Sequence, residues 1–390
     1  MGPRWLYTLL LRFWMIQGLV LGATGHYYSV SRRRLVPCGV LRWYSWLLML
    51  ATLSLYGVYW RYAQNYFVEG MFRRHRFVQM LCEGNVRMML LTLVLQTVLR
   101  AFREREVCAV YNELMAMRQR SKVLQLQEEH SRFYYVMFFV KLFIYLRNFN
   151  CVLSVYMVVE VRTFTVWDIM ANFYFVYISL VRECLLMSYV LLLLQLGEAL
   201  RVNGEHPRTS YAALTRQLRR QERLLRLVQR VHRLFAWQVL AVLVFQLYFN
   251  TATFYVGYSF LAAPSQSGSG SGLGSGSGSG FRVWSIKFLL AAAAFISKLC
   301  DGLLLQIAGG HLLAQGNKSC ASPLVETSST HIQAAQRQME MAYLKRAIRA
   351  SYPENRVLGM FGMDMRCAFA IISSSLSYGI IIMQLGYIHS

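Results

Sequence analysis

The residues of this chain that could do chemistry are polar groups set inside long apolar runs. Glu83 and Arg87 are one helical turn apart, and Lys298 and Asp301 are three residues apart, so each couple can pair along one helix face. Arg182 and Glu183 are adjacent, which turns them to different faces and asks for other partners. Lys141 and Arg147 have no mate within a turn. A charge at the centre of a bilayer costs about 3 kcal/mol or more, so such groups hold helices together or serve recognition and transport. For the two local couples, holding the bundle is the simpler reading. Catalysis finds no support: no Gly-x-Ser-x-Gly, Walker, His-Glu-x-x-His or Gly-x-Gly-x-x-Gly arrangement stands in a suitable context, and no cofactor is implied.

A second set of polar residues lies near the C-terminus. Ser377-Tyr378 is followed by five apolar residues and then Gln384-Leu385. An amide on a greasy helix needs a partner helix or water beside it. On a helical period, Ala370, Ser374, Ser377, Ile381, Gln384 and Ile388 form one stripe, with Tyr378 about 100° away. Small and hydroxyl residues on one face suit close helix packing. They suit equally a pore lined by water-tolerant side chains and closed by an apolar ring. Spacing alone leaves both open.

The elements that must position these groups are membrane-spanning helices. The chain has 390 residues, is 56% hydrophobic and has a mean hydropathy of +0.35, against about 45–50% apolar for a soluble protein. Seven apolar stretches approach or exceed the roughly 20 residues a span needs: Gly39–Trp60, Phe77–Val98, Phe133–Val158, Asp168–Leu196, Trp237–Ala262, Val283–Ile307 and Cys367–Ile388. Runs such as Leu185–Leu196 do not alternate, which excludes a β-barrel. The expectation is an all-α membrane protein with seven transmembrane helices.

The net charge of +23 would suit nucleic acid, but its distribution argues for a membrane instead. The N-terminal tail and the second and fourth loops carry 5, 7 and 9 lysines and arginines, and the sixth loop is also basic. The first, third and fifth loops and the C-terminal tail carry 4, 1, 1 and 0. Basic residues gather on the cytoplasmic side, so the N-terminus is expected inside and the C-terminus outside. The excess then faces anionic lipid, and no nucleic-acid partner is implied. The eight cysteines are scattered, with neither a disulfide framework nor zinc-site spacing, so no metal is predicted.

Residues 1–38 form a cytoplasmic segment whose run Leu6 to Ala23 could pass for a signal peptide; Arg12 inside it and Arg32-Arg33-Arg34 after it favour a membrane-lying or re-entrant helix. Residues 39–262 hold spans one to five. Within them Thr209–Leu234 sets arginines at 216, 219, 220, 223, 226 and 230 against Leu214, Leu218, Leu225, Val228 and Val231. That is an amphipathic helix, and its apolar face favours a cytoplasmic bundle in which spans four and five continue past the bilayer. Residues 263–282 contain a Gly/Ser repeat in the expected extracellular loop, natural or inserted. Span six at 283–307 leads to a linker region at 308–366, with a helix expected over Ile332–Ser351, and residues 367–390 hold span seven. Asn317-Lys318-Ser319 matches a glycan acceptor on the side expected to be cytoplasmic.

With that orientation the outer halves of spans three to six bring together Arg147, Asn150, Trp167, Tyr174, Tyr177, Tyr248, Asn250, Tyr255 and Trp284. Aromatic walls with a few polar groups suit a small-molecule pocket; packing aromatics and an interfacial belt are the plainer reading.

The closing segment resembles the C-terminus of insect gustatory receptors. It has Gly-x-Phe-Gly-x-Asp at 359–364, a helix, and then Ser377-Tyr378, five apolar residues and Gln384-Leu385. The family pattern is Thr-Tyr-(five hydrophobics)-Gln-Phe, so Ser377 keeps the hydroxyl and Leu385 loses an aromatic. The resemblance implies a receptor in the plasma membrane of gustatory neuron dendrites. It implies a ligand-gated, non-selective cation channel built as a homo- or hetero-tetramer of related subunits in the lipid bilayer. It implies that span seven lines the pore, with Ser377, Ile381, Gln384 and Leu385 as lining candidates and Tyr378 as support, and that each subunit binds a small-molecule tastant, a bitter or other non-sugar compound. A seven-helix receptor acting through a G protein would need the opposite orientation and lacks an Asn-Pro-x-x-Tyr here; a transporter lacks an evident internal repeat.

Overall fold

The computed structural model describes residues 3–29, 31–32, 34–63, 76–123, 131–158, 166–205, 211–262, 296, 299–317, 339, 342–343, 346, 356–357, 361–362 and 364–388. The Gly/Ser repeat and almost all of the helix expected at Ile332–Ser351 lie outside them. Helices dominate. They are α1 (Pro3–Val20), α2 (Gly39–Ala63), α3 (Arg76–Val123), α4 (Arg132–Val158), α5 (Val166–Glu205), α6 (Tyr211–Ala262), α7 (299–317) and α8 (Met365–Ile388). Two small antiparallel hairpins complete the described chain: β1 (His26–Ser29) with β2 (Arg34–Pro37), and β3 (Arg356–Val357) with β4 (Phe361–Gly362).

Among the described residues, four helical stretches are long and apolar enough to cross a membrane: Glu83–Met117, Phe173–Gly204, Thr215–Ala252 and Met365–Gln384. At 1.5 Å per residue, the 48 residues of α3 and the 52 of α6 run to about 72 and 78 Å, well beyond the roughly 40–45 Å of a whole bilayer. The amphipathic stretch, from Tyr211 on, and the apolar run after it thus form a single helix. Along its first half Leu218, Leu225, Val228 and Val231 are buried, while Arg216, Arg219, Arg223, Arg226 and Arg230 are exposed.

The core centres on α5. Nearly every residue from Leu180 to Leu200 is buried, the pattern of a helix apolar all round and surrounded by others. Helices α2, α3, α4 and α6 pack against it. Several contacts are sealed by phenols bonded to backbone carbonyls. Tyr111 Oη donates to Ser188 O at 3.0 Å, Tyr174 Oη to Thr52 O at 2.7 Å, and Tyr248 Oη to Leu81 O at 3.0 Å. Helices α3 and α6 pass so closely that the Tyr248 phenol occupies the space a Cβ on Gly84 would need. On the other side of the same crossing, Arg103 Nη1 donates to Arg233 O at 2.9 Å and Leu234 O at 3.2 Å.

The N-terminal region differs from a plain helical tail. α1 turns its Trp14 onto Tyr145, with ring centroids 4.8 Å apart, and leaves Leu6, Leu9, Phe13, Ile16 and Val20 exposed along the opposite stripe. The turn after it uses Gly22 at φ 66°, a conformation that favours glycine. Tyr177 Oη donates to Leu21 O at 3.2 Å and Tyr44 Oη to Val20 O at 2.8 Å, tying this turn to α5 and α2. The β1–β2 hairpin that follows has no counterpart in the sequence reading. Its strands are four residues each, and their alternation is masked by the basic run at the turn.

Candidate functional site

Lys141, Arg182, Glu183 and Asp301 meet in the middle of the bundle. Lys141 of α4 projects between α5 and α7 and is 1% exposed. Its Nζ donates to Glu183 Oε2 at 3.1 Å and pairs with the Asp301 carboxylate. Arg182 Nη2 donates to Glu183 Oε1 at 2.9 Å, so the two adjacent residues pair with each other, while Glu183 also takes Lys141 as the other partner its position asked for. A long guanidinium can reach back round the helix where two short side chains could not. Arg182 also stacks its guanidinium over Phe245, 4.3 Å from the ring centre. Two cations and two carboxylates leave the cluster formally neutral, which is how buried charge becomes tolerable.

The local couples fare differently. Arg87 pairs with Glu83 one turn away on α3, at the surface. The expected partner of Asp301, Lys298, lies outside the described residues, and Asp301 is engaged by Lys141 instead. Sequence reasoning missed the pairing of Lys141 with Glu183 and Asp301 because the partners are 42 and 160 residues away. The available signal was the balance of charge: two bases and two acids stranded in apolar helices.

Beside the cluster is a cavity of about 30 Å³, walled by Arg182, Glu183, Phe245, Gln246, Asp301 and Gly302 among others. The Gln246 amide lies where a Cβ on residue 302 would be, so Gly302 makes room for it. The space suits about two water molecules, far short of the several hundred Å³ a small-molecule ligand fills. Arg182 Nη1 is buried there without a hydrogen-bond partner among the described residues.

Of the nine residues singled out for an outer pocket, Arg147, Asn150, Trp167 and Trp284 have side chains outside the described set. Tyr174 and Tyr177 point to the α2 and α1 sides through the hydrogen bonds given above, and Tyr174 packs on Tyr59 at 4.7 Å. Tyr248 and Tyr255 of α6 cluster instead with Leu81 of α3 and with Ile382 and Met383 of α8. Asn250 is wholly buried, and neither amide atom has a hydrogen-bond partner among the described residues. That is a costly arrangement unless water or a ligand meets it.

α8 is the third part of the site. Asp364 caps it, its Oδ1 accepting from Arg366 N at 3.0 Å and Cys367 N at 3.1 Å, which gives the last residue of the Gly-x-Phe-Gly-x-Asp stretch a structural role. One face packs on α6: Ser375 is buried with its hydroxyl on Ile371 O at 2.7 Å, and Gly379 lies against Phe254. The opposite face carries Ala370, Ser377, Ile381 and Gln384, all exposed, and the Ser377 hydroxyl donates to Ser373 O at 3.0 Å. Tyr378 is exposed as well, so any packing partner must come from outside the described chain; the side chain of Leu385 is not described.

The profile of the 7tm chemosensory receptor family matches residues 9–389. A putative gustatory receptor 10b of Drosophila melanogaster is 48% identical over 383 residues, covering 98% of both chains. Two solved structures share the fold across 97% of this chain and 99% of theirs: the insect olfactory receptor OR5 of Machilis hrabei in complex with eugenol, with TM-score 0.60 and 14% identity, and the same receptor alone, with TM-score 0.55 and 13% identity.

Proposed function

The chain belongs to the insect gustatory receptor family, a branch of the 7tm chemosensory receptors, and from that premise we propose that it is a ligand-gated, non-selective cation channel opened by a small tastant. Four subunits, identical or mixed with related receptors, place α8 around a central pore in the plasma membrane of gustatory neuron dendrites. Each chain crosses the bilayer seven times with its N-terminus inside, and α1 lies in the membrane with its exposed apolar stripe towards lipid.

The observation that carries this reading is the two-faced character of α8. Its packed face is spent on α6, and the opposite face presents Ala370, Ser377, Ile381 and Gln384, flanked by the exposed apolar side chains of Phe369, Leu376 and Ile380. A lipid-facing helix gains nothing from a hydroxyl and an amide there; a pore does. Ile381 supplies the apolar ring that closes by dewetting, Gln384 and Leu385 stand at the outer mouth, and Tyr378 supports the helix against a neighbouring subunit. The tastant is a non-sugar compound, a reading supported by the fold shared with a receptor solved with eugenol. Asn250, with its unpaired buried amide, is its first polar contact on α6. Binding favours the wider arrangement of the four α8 helices and shifts the equilibrium.

Expression of the chain by itself, and together with related receptors, followed by whole-cell recording against a panel of bitter and aromatic compounds, tests this. Ligand-evoked cation current with a conductance altered by Gln384→Ala is the expected result. Unaltered currents from a surface-assembled mutant overturn the pore assignment, and intracellular C-terminal tags on intact cells overturn the orientation.

A further inference from the structure

His26, Glu104 and Cys108 form a buried constellation that plays no part in the channel reading. Their donor atoms, an imidazole nitrogen, a carboxylate oxygen and a thiol sulfur, all lie within 4.8 Å of one another. We propose that this is a zinc-binding site that fastens the N-terminal hairpin to α3.

The geometry is built by two elements. Glu104 and Cys108 are four residues apart on α3 and so share a face. His26 opens β1, and the hairpin is laid along that face by further bonds. Gly25 N donates to Glu104 Oε1 at 3.3 Å, and two turns further on Asn112 exchanges hydrogen bonds with Leu35 of β2, at 2.8 Å from Leu35 N and 2.9 Å to Leu35 O. His26, Glu104 and Cys108 are 8%, 5% and 3% exposed, so the donors are fixed and shielded from solvent.

The chemistry of the donors selects the ion. Thiolate and imidazole with one carboxylate suit zinc, whereas calcium and magnesium take oxygen ligands. Three protein ligands leave the fourth tetrahedral position for water. His26 Nδ1 contacts Glu104 Oε1 directly. An ion inserted between them, with bonds of about 2.0–2.1 Å at a tetrahedral angle, would set the two atoms about 3.3 Å apart. Arg100 complements the site without blocking it. Its Nε lies 3.4 Å from the other oxygen of Glu104, Oε2, which leaves Oε1 for the metal. Its Nη1 has no partner among the described residues and is a donor for the thiolate or the fourth ligand. Binding releases the Cys108 proton, and any second proton on His26, to solvent. The plainer alternative is a buried His26–Glu104–Arg100 ion-pair network with the thiol as a bystander.

The test is made on the untagged full chain in lipid nanodiscs. Zinc content after dialysis against a weak chelator should be one per chain. Cobalt in its place should give the near-ultraviolet thiolate-to-cobalt band and tetrahedral d–d bands. Cys108→Ser should abolish the thiolate band and weaken zinc binding by more than about 100-fold, since even supporting residues cost 10–100-fold. Cys300→Ser, on α7, should change neither. A wild-type chain without zinc and without the cobalt–thiolate band overturns the proposal, and so does a Cys108→Ser chain that binds like the wild type. The wild-type spectrum decides alone if the variant fails to fold.

Discussion

Helices α5 and α8 are both apolar enough to cross a membrane, yet they are used in opposite ways. In the apolar window of α5, 83% of residues are buried, against 17% in that of α8. α5 carries leucines and valines all round and neutralises Arg182 and Glu183, the charges at its centre, against α4 and within itself. α8 carries glycine, alanine, serine and isoleucine, packs one side on α6 and leaves the other bare. Hydropathy makes a helix of either sequence; the type of residue on each face decides whether it becomes a core or an interface. Charge on α5 is therefore structural, while polarity on α8 is free to serve another purpose.

That contrast is breakable, most forcefully at the buried cluster. Lys141→Ala removes one of the two cations that balance Glu183 and Asp301, leaving one buried negative charge uncompensated, and should cost about 3–5 kcal/mol, read as loss of the monodisperse peak or a large fall in melting temperature in detergent. A variant as stable as the wild type would remove the structural role assigned to α5. Next comes the α3–α6 crossing, which helps enclose α5. Gly84→Ala pushes a Cβ into the Tyr248 phenol and should cost about 1–3 kcal/mol. The penalty should shrink in a Tyr248→Phe background, and a double-mutant cycle with no coupling would show that the contact is not tight. At the base of α8, Asp364→Ala removes two capping hydrogen bonds and should cost about 1 kcal/mol, measured as a thermal shift or as faster hydrogen exchange at Arg366 and Cys367. On the bare face, Gln384→Ala and Ser377→Ala should alter stability by no more than about 0.5 kcal/mol while changing conductance. A destabilisation comparable to that of Lys141→Ala would make the face a packing surface after all.

Much of the helical layout was legible because a membrane helix advertises itself over some twenty residues. α2, α4 and α8 begin within two residues of the apolar runs that announce them. The amphipathic pattern of Leu218, Leu225, Val228 and Val231 also marked the buried side of α6. What escaped was tertiary. Nothing near Lys141 in sequence points to Asp301, and only stranded charge of opposite sign hints that they meet. The hairpin at 26–37 escaped because four-residue strands carry little periodicity and its turn is dominated by arginines. With the hairpin unseen, His26 could not be set beside Glu104 and Cys108, although their spacing of four was visible. The aromatic residues of the expected pocket illustrate the converse. Tyr174 and Tyr177 lie on α5, but a phenol's direction depends on which carbonyl it finds, and theirs lie on α2 and the turn after α1.

The unbroken length of α6 has a mechanical consequence. A continuous helix moves as a rod: a tilt of about 3° displaces a point about 30 Å from its pivot by about 1.6 Å. Arg103 grips this rod near the carbonyls of Arg233 and Leu234, and α8 rests on the far portion, at Ala252, Phe254 and Tyr255. The grip stands as a fulcrum and α8 as the load, so a movement of the rod on one side of the grip is handed to α8 at nearly equal amplitude and in the opposite direction, because the two arms are of similar length.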